Sequence, residues 1–263
     1  MKRALIGLLS AIFLWSGSAF PAAATPKSYN WYCKHVAGHV QPPIGEELAF
    51  VEELGAFYLD HRHSDANASD RVIYLTFDAG YENGNVEKIL NVLHEEQAPA
   101  AFFILGNLIT QNTALVKRMA EEGHTVCNHT VHHRDMSRAS GEEFLRELKD
   151  LETLYRERTG YEMAKYYRPP RGTFSRENLL CAQENGYRTI FWSFAYADWD
   201  NEKQVSVESA RQKILENVHN GEIMLLHPTS ATNAALLGEV IRALRADGYR
   251  FASLDELCNG GAA

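Results

Sequence analysis

The chain has 263 residues, which at about 150 residues per domain permits one large domain or two small ones. Hydrophobic residues make up 45% and charged residues 23%, a globular balance that excludes a disordered or collagen-like chain. A net charge of −8 without a lysine–arginine block excludes nucleic-acid binding by bulk electrostatics, and a mean hydropathy of −0.31 with one long apolar run excludes a multi-pass membrane protein.

That run lies at the N-terminus. Lys2 and Arg3 precede an apolar stretch from Ala4 to Phe20, and Pro21-Ala22-Ala23-Ala24 supplies small residues for cleavage. This is the layout of a secretory signal peptide over residues 1–24. Ser10, Ser16, Gly17 and Ser18 break the run, which favours cleavage near Ala24 over an uncut membrane anchor. The expected location is therefore secreted or cell-wall associated. Cys33, Cys127, Cys181 and Cys258 are widely spaced with no CxxC pair, so three disulfide pairings stay open. Cys127, in an apolar segment, reads as a small buried hydrophobe.

Residues 25–70 form a lead-in with Pro42-Pro43 and one amphipathic helix, roughly Gly45 to Tyr58. From Arg71 onward short apolar runs alternate with helical periods. Val72 to Leu75 reads as a strand, and Val86, Ile89, Leu90 and Leu93 follow helical spacing. Ala101 to Leu105 is the next strand, with Leu115 and Met119 on the next helix. Thr125 to Cys127 is strand-like and precedes a long helix bearing Phe144, Leu148, Leu151 and Tyr155 on one face. Tyr166-Tyr167, Thr189 to Trp192 and Ile223 to Leu226 read as later strands. The last helix carries Leu237, Val240, Ile241 and Leu244 and ends before Gly248. Such alternation predicts an α/β fold over 71–263, a parallel sheet of about seven strands covered by helices. Polar groups recur after strand ends: Asp78, His129, Arg168, Asp198 and His227. Barrel enzymes gather their sites at that rim, which favours a closed sheet.

His129-Thr130-Val131-His132-His133 places two imidazoles at i and i+4, which on a helical turn share a face and can bind one metal. No glutamate lies between them, so this is not the HExxH of zinc proteases. Asp78, at a strand end before Gly80, suits a catalytic base, the alternative being a cap for the next helix. Arg168-Pro169-Pro170-Arg171-Gly172 is a loop stiffened by two prolines, able to hold a guanidinium in place. Asp198 could anchor an Arg or His, and His227 is the default acid–base residue near neutral pH.

These motifs resemble those of the polysaccharide deacetylases of carbohydrate esterase family 4, which share the NodB-homology domain. The resemblance covers about Arg71 to the C-terminus in five ordered motifs: TFDAG at 76–80, HTVHH at 129–133, RPPRG at 168–172, ADW at 197–199 and LLH at 225–227. TFDAGYENG at 76–84, with Asn30-Trp31 and Gln41-Pro42-Pro43 in the lead-in, is similar to the delta-lactam-biosynthetic de-N-acetylases, which make muramic delta-lactam in spore-cortex peptidoglycan. The resemblance implies a distorted (β/α) barrel of about seven strands preceded by a short helical lead-in, and hydrolysis of an N-acetyl group. It implies Asp78 as general base, His227 as general acid, His129 and His133 as ligands of a divalent metal ion, Arg168 orienting Asp78, and Asp198 positioning the pair. A backbone N–H at or near Tyr81 is expected to meet the oxyanion, with Tyr81 and Trp199 among the substrate-binding residues.

The chain departs from the superfamily at one place. Most members carry Asp-Asp where this chain has Asp78-Ala79, and the second Asp is a ligand; its absence predicts weak, reversible binding of zinc, cobalt, nickel or manganese. Arg171 stands where many relatives carry an aromatic residue, and its fork suits the lactyl carboxylate of N-acetylmuramic acid, the alternative being packing against an acidic loop. The expected partner is a peptidoglycan glycan strand, met by a monomer with no stable membrane insertion after cleavage. A chitin- or N-acetylglucosamine-directed deacetylase and an inactive glycan-binding barrel are the competing readings. A metal-independent acyl hydrolase is disfavoured by the lack of a Gly-x-Ser-x-Gly elbow.

Overall fold

The computed structural model describes residues 26–66 and 68–260, so the expected signal peptide lies outside the described residues. Its elements run β1 (Tyr29–Asn30), α1 (Phe50–Glu53), β2 (Arg71–Ala79), α2 (Val86–Glu95), β3 (Ala101–Ile104), α3 (Gly106–Gln111), α4 (Thr113–Glu121), β4 (Thr125–Asn128) and α5 (Gly141–Thr159). Then come β5 (Tyr166–Tyr167), β6 (Thr173–Phe174), α6 (Arg176–Glu184), β7 (Arg188–Thr189), α7 (Val207–Asn217), β8 (Glu222–Leu226), α8 (Ala231–Ala246), β9 (Tyr249–Phe251) and α9 (Leu254–Asn259).

Seven strands form one sheet in the order β7-β5-β4-β3-β2-β8, with β9 also against β2, and every pairing in it is parallel. Beyond β7 the chain stays extended and meets β8: Ser193 N and Phe194 N donate to Ile223 O, and Leu225 N donates to Phe194 O. The sheet thus curls round until its two edges meet, giving the distorted (β/α) barrel. Pleating explains what each face holds, since alternate residues point to opposite sides. Ile73, Leu75 and Phe77 pack under the helices, whereas Val72 and Tyr74 face inward with Phe103, Cys127 and Ile223. Asp78 shares parity with the inward residues and stands at the top of the strand, so its carboxylate enters the barrel mouth. Leu254 and Leu257 of α9 close the other end.

The helices form where the apolar spacing predicts them. Val86, Ile89, Leu90 and Leu93 of α2 are all buried. The α5 helix starts on a capping box, Ser140 accepting from Glu143 N while the Glu143 carboxylate accepts from Ser140 N. Three expectations need correction. First, the helix expected over 45–58 is a 3-10 turn at Glu46–Leu48 followed by the four-residue α1. Gly55 at φ +70 turns the chain away, and Phe57 then pairs with the barrel edge through Thr189 O and Phe191 N. Second, the helix ending before Gly248 is α8, and β9 and α9 follow it. Third, β2 runs on through Asp78, which sits inside the strand and caps no helix. Among the described residues no helix is long and apolar enough to cross a membrane, and all four cysteines are free, with Cys127 buried.

Candidate active site

Asp78 meets Arg168 at the C-terminal end of the sheet. Arg168, just past β5, is fully buried, and its Nη1 donates to Asp78 Oδ1 at 2.8 Å. Its other two nitrogens donate as well: Nε to Ile190 O at 2.9 Å and Nη2 to Phe191 O at 3.2 Å. The guanidinium also lies 4.0 Å from the centre of the Phe103 ring. Burial raises the Asp78 carboxyl, but the Arg168 charge leads the neighbours that together hold it below the usual carboxylate range. Asp78 is thus held ionised and aimed.

The two histidines are brought together, but by a loop rather than the expected helical turn. Thr130 and His133 have φ of 70° and 56°, left-handed values that fold residues 129–133 back on themselves. The loop supplies some of its own bonds: Asn128 Oδ1 accepts from Thr130 N, and Thr130 Oγ1 from His133 N. Glu147 of α5 straps it from outside, one oxygen accepting from Val131 N and His132 N and the other facing His132 Nδ1 at 2.7 Å. The His129 and His133 rings end 4.9 Å apart, edge to face. His129 Nδ1 lies 2.8 Å from Arg168 O, an acceptor only, so Nδ1 carries the proton and Nε2 is bare. That Nε2 faces Asp78 Oδ2 at 3.5 Å.

Burial lowers both rings, His133 to about 4 with help from the neighbouring His129. Two neutral imidazoles and a carboxylate fit the donor chemistry of a divalent cation. Ala79 lines the same cavity and offers no donor atom. Among the described residues no three His, Cys, Asp or Glu side chains form a preassembled metal cluster.

On the facing rim, Asp198 grips His227 twice. Its Oδ2 accepts from His227 N and its Oδ1 faces His227 Nδ1, each at 2.7 Å. Asn233 Nδ2 holds the buried Asp198 at 2.6 Å. Burial lowers the His227 ring, but the bond and charge of Asp198 outweigh it and the net shift is upward. One site therefore keeps two histidines neutral and favours the cationic form of a third, set by environment alone.

A cavity of about 890 Å³ joins these groups. Tyr81 and Trp199 stand exposed at its edge, and Asn201 Nδ2 donates to Tyr81 Oη at 2.5 Å. Arg171 lines it from a turn in which Arg171 and Gly172 both take left-handed φ. A Cβ on Gly172 would lie 3.0 Å from the Trp192 ring and 3.2 Å from Trp31 Cβ, so the turn needs glycine. Arg171 is exposed and makes no ion pair with a described residue, against the alternative that it packs on an acidic loop. Leu105, Trp192 and Tyr196 also line the cavity and were not expected. Neither was the support from Asn233 and Glu147.

A family model for polysaccharide deacetylase matches residues 65–190. The peptidoglycan-N-acetylmuramic acid deacetylase PdaA of Bacillus subtilis is 36% identical over 249 residues, 94% of this chain and 92% of that protein. The chain belongs to the polysaccharide deacetylase family, carbohydrate esterase family 4. Its enzymes are metal-dependent hydrolases of N-acetyl groups, and the fold agrees: the solved PdaA structure superposes with a TM-score of 0.83, covering 89% of this chain and 98% of that one. An uncharacterized 30.6 kDa protein of Geobacillus stearothermophilus is 40% identical over 91% of this chain and 89% of its own length. The peptidoglycan-N-acetylglucosamine deacetylase of Bacillus cereus is 30% identical over 72% of this chain and 89% of its own.

Proposed function

We propose that this chain removes the acetyl group from N-acetylmuramic acid residues of peptidoglycan, a step towards the muramic delta-lactam of spore cortex. The observation that carries the reading is the pair of carboxylate-anchored groups, Asp78–Arg168 and His227–Asp198, opening on one cavity with an exposed Arg171 at its edge. Similarity to PdaA over nearly the whole chain supports it. The enzyme works outside the cytoplasm, as a monomer, once residues 1–24 are removed, with 25–70 as lead-in and 71–263 as the catalytic domain.

Asp78 accepts a proton from the attacking water as its oxygen bonds to the acetyl carbon. Arg168 holds that carboxylate in line and ionised. A backbone N–H at or near Tyr81 donates to the developing oxyanion. His227, kept in place by Asp198, gives its proton to the sugar nitrogen as the C–N bond breaks, so acetic acid and a neutral amine leave. A divalent cation bound by His129 and His133 would polarise the carbonyl and acidify the water. These donors do not distinguish zinc, cobalt, nickel and manganese. Tyr81 and Trp199 flank the sugar.

Arg171 reads the lactyl carboxylate that separates muramic acid from glucosamine. Mass spectrometry and acetate release on peptidoglycan, with and without prior removal of stem peptides, test this. Arg171→Ala is expected to lower turnover about 10- to 100-fold on muramic residues, the worth of a charge-assisted pair, and little on glucosamine residues. An equal loss on both favours the second reading, a glucosamine-directed deacetylase like the Bacillus cereus relative.

A further inference from the structure

A second cleft, of about 330 Å³, opens at the N-terminal ends of β3 and β4, at the opposite end of those strands from Asp78 and His129. His94 in the last turn of α2, Glu122 at the C-cap of α4, and His124 just before β4 line it. His124 is only 8% exposed, packs edge-on against Phe102, and among the described residues has no hydrogen-bond partner at either ring nitrogen. Glu122 Oε2 is likewise buried and unpartnered, while Oε1 takes the Arg118 Nε bond. His94 Nδ1 lies 4.0 Å from that free carboxylate oxygen, on a side chain 71% exposed.

Unsatisfied buried polar atoms are rare and costly, and three of them here belong to two residues of one cleft. We propose that this cleft is a second divalent-cation site, ligated by His94, Glu122 and His124 and independent of the catalytic centre. Two imidazoles and one carboxylate make a set suited to a borderline cation such as zinc, cobalt or nickel, with water completing the shell. The carboxylate selects a cation over an anion. The set is not closed in the free protein, because His94 stands apart on a largely exposed side chain and must turn inward to complete it. Such an ion would tie α2 and α4 to the base of the sheet, so its role is to hold the fold rather than to act on the acetyl group.

The test uses the untagged chain carrying His129→Ala and His133→Ala, stripped with chelator and titrated with Co²⁺ by calorimetry and visible absorption. Uptake of one equivalent is expected, with the intense d–d bands of a four-coordinate ion. Adding His94→Ala or Glu122→Gln is expected to weaken uptake at least tenfold and to remove the rise in Tm that the metal confers. His124→Ala could fail to fold, so the exposed His94 and the isosteric Glu122→Gln variants carry the decision. A cleft that holds only water would take up no cobalt. That result, or uptake unmoved by both substitutions, overturns the proposal.

Discussion

The Asp198 carboxylate makes three hydrogen bonds among the described residues, two to His227 and one to Asn233, and is almost fully buried. On the proposed mechanism its charge keeps His227 aimed and protonated. Asp198→Asn should keep the fold and lower kcat by about 10²- to 10⁴-fold, the usual worth of a positioned acid, with KM little changed; steady-state acetate release checks this. Ala79 stands where the family resemblance implies a second Asp, and it lines the cavity beside Asp78. Ala79→Asp should tighten divalent-metal binding by about tenfold or more, since ligand charge tunes cation affinity. Calorimetric titration of the chelator-treated protein measures it, and no gain would remove the argument that the missing carboxylate weakens the site. At this scale the sequence showed the groups that follow strand ends but not those that hold them. Asn233 looks like a polar surface residue of α8 and is fully buried, and Glu147 looks like any acid of α5 until the His129–His133 loop is seen to fold onto it.

The element most misjudged from sequence is the lead-in. It supplies no long helix; it lays Trp31, Leu48, Phe50, Val51, Tyr58 and Leu59 against Phe174, Leu179 and Phe191 as a separate apolar cluster over the outside of the barrel. Trp31 is its keystone. The indole stacks on Phe191 at 4.4 Å, its Nε1 donates to Trp192 O, and its backbone N donates to Gly172 O. Trp31→Ala should cost about 3–5 kcal/mol, the range for removing a large buried aromatic side chain. Urea unfolding would show it as a lower midpoint. Because the same residue braces the Arg168–Gly172 turn, the variant should also discriminate less between muramic and glucosamine residues. The amphipathic period over 45–58 was real, but Gly55 ends it early and the apolar residues after it bury through the barrel edge instead of a helix face.

Across the molecule, one buried pair ties the base of the barrel together. His219 Nδ1 lies 3.1 Å from Glu222 Oε2, and His219 Nε2 lies 2.8 Å from Ser193 Oγ, where β8 meets the extension of β7. Burial pushes His219 down to about 4 and Glu222 well above the usual carboxylate range. Folded, His219 is neutral above about pH 4 and burial favours the protonated form of Glu222, so the pair's one proton sits on Glu222. Unfolded, with values of about 6.5 and 4.3, it also holds one proton between those pH values, so its contribution there is flat. Above 6.5 the unfolded pair loses its proton first, and stability falls as pH rises. In Glu222→Gln the folded His219 stays neutral below pH 6.5 while the unfolded one is protonated. Stability should then fall by up to about 1.4 kcal/mol per pH unit, relative to the unmodified protein, on going from pH 6.5 towards 4. Urea titrations at several pH values measure the difference, and parallel curves would contradict the one-proton pair.

The sequence by itself determined the parallel strands, the helices between them and the order of the chemical groups, because each depends on local periodicity and on residues a few positions apart. The unbroken apolar run Val72 to Leu75 marks β2 as a buried strand, and spacing alone marks α2 and α5. Only the tertiary structure decided the rest. The proton position on His129 depends on Arg168 O, 39 residues away, and the charge of His227 on Asp198, 29 residues away. Closure of the sheet rests on backbone bonds of an extended segment too short to read as a strand. Hydrogen bonds and desolvation act across space and leave no period in the chain, so they become visible only once the barrel has closed.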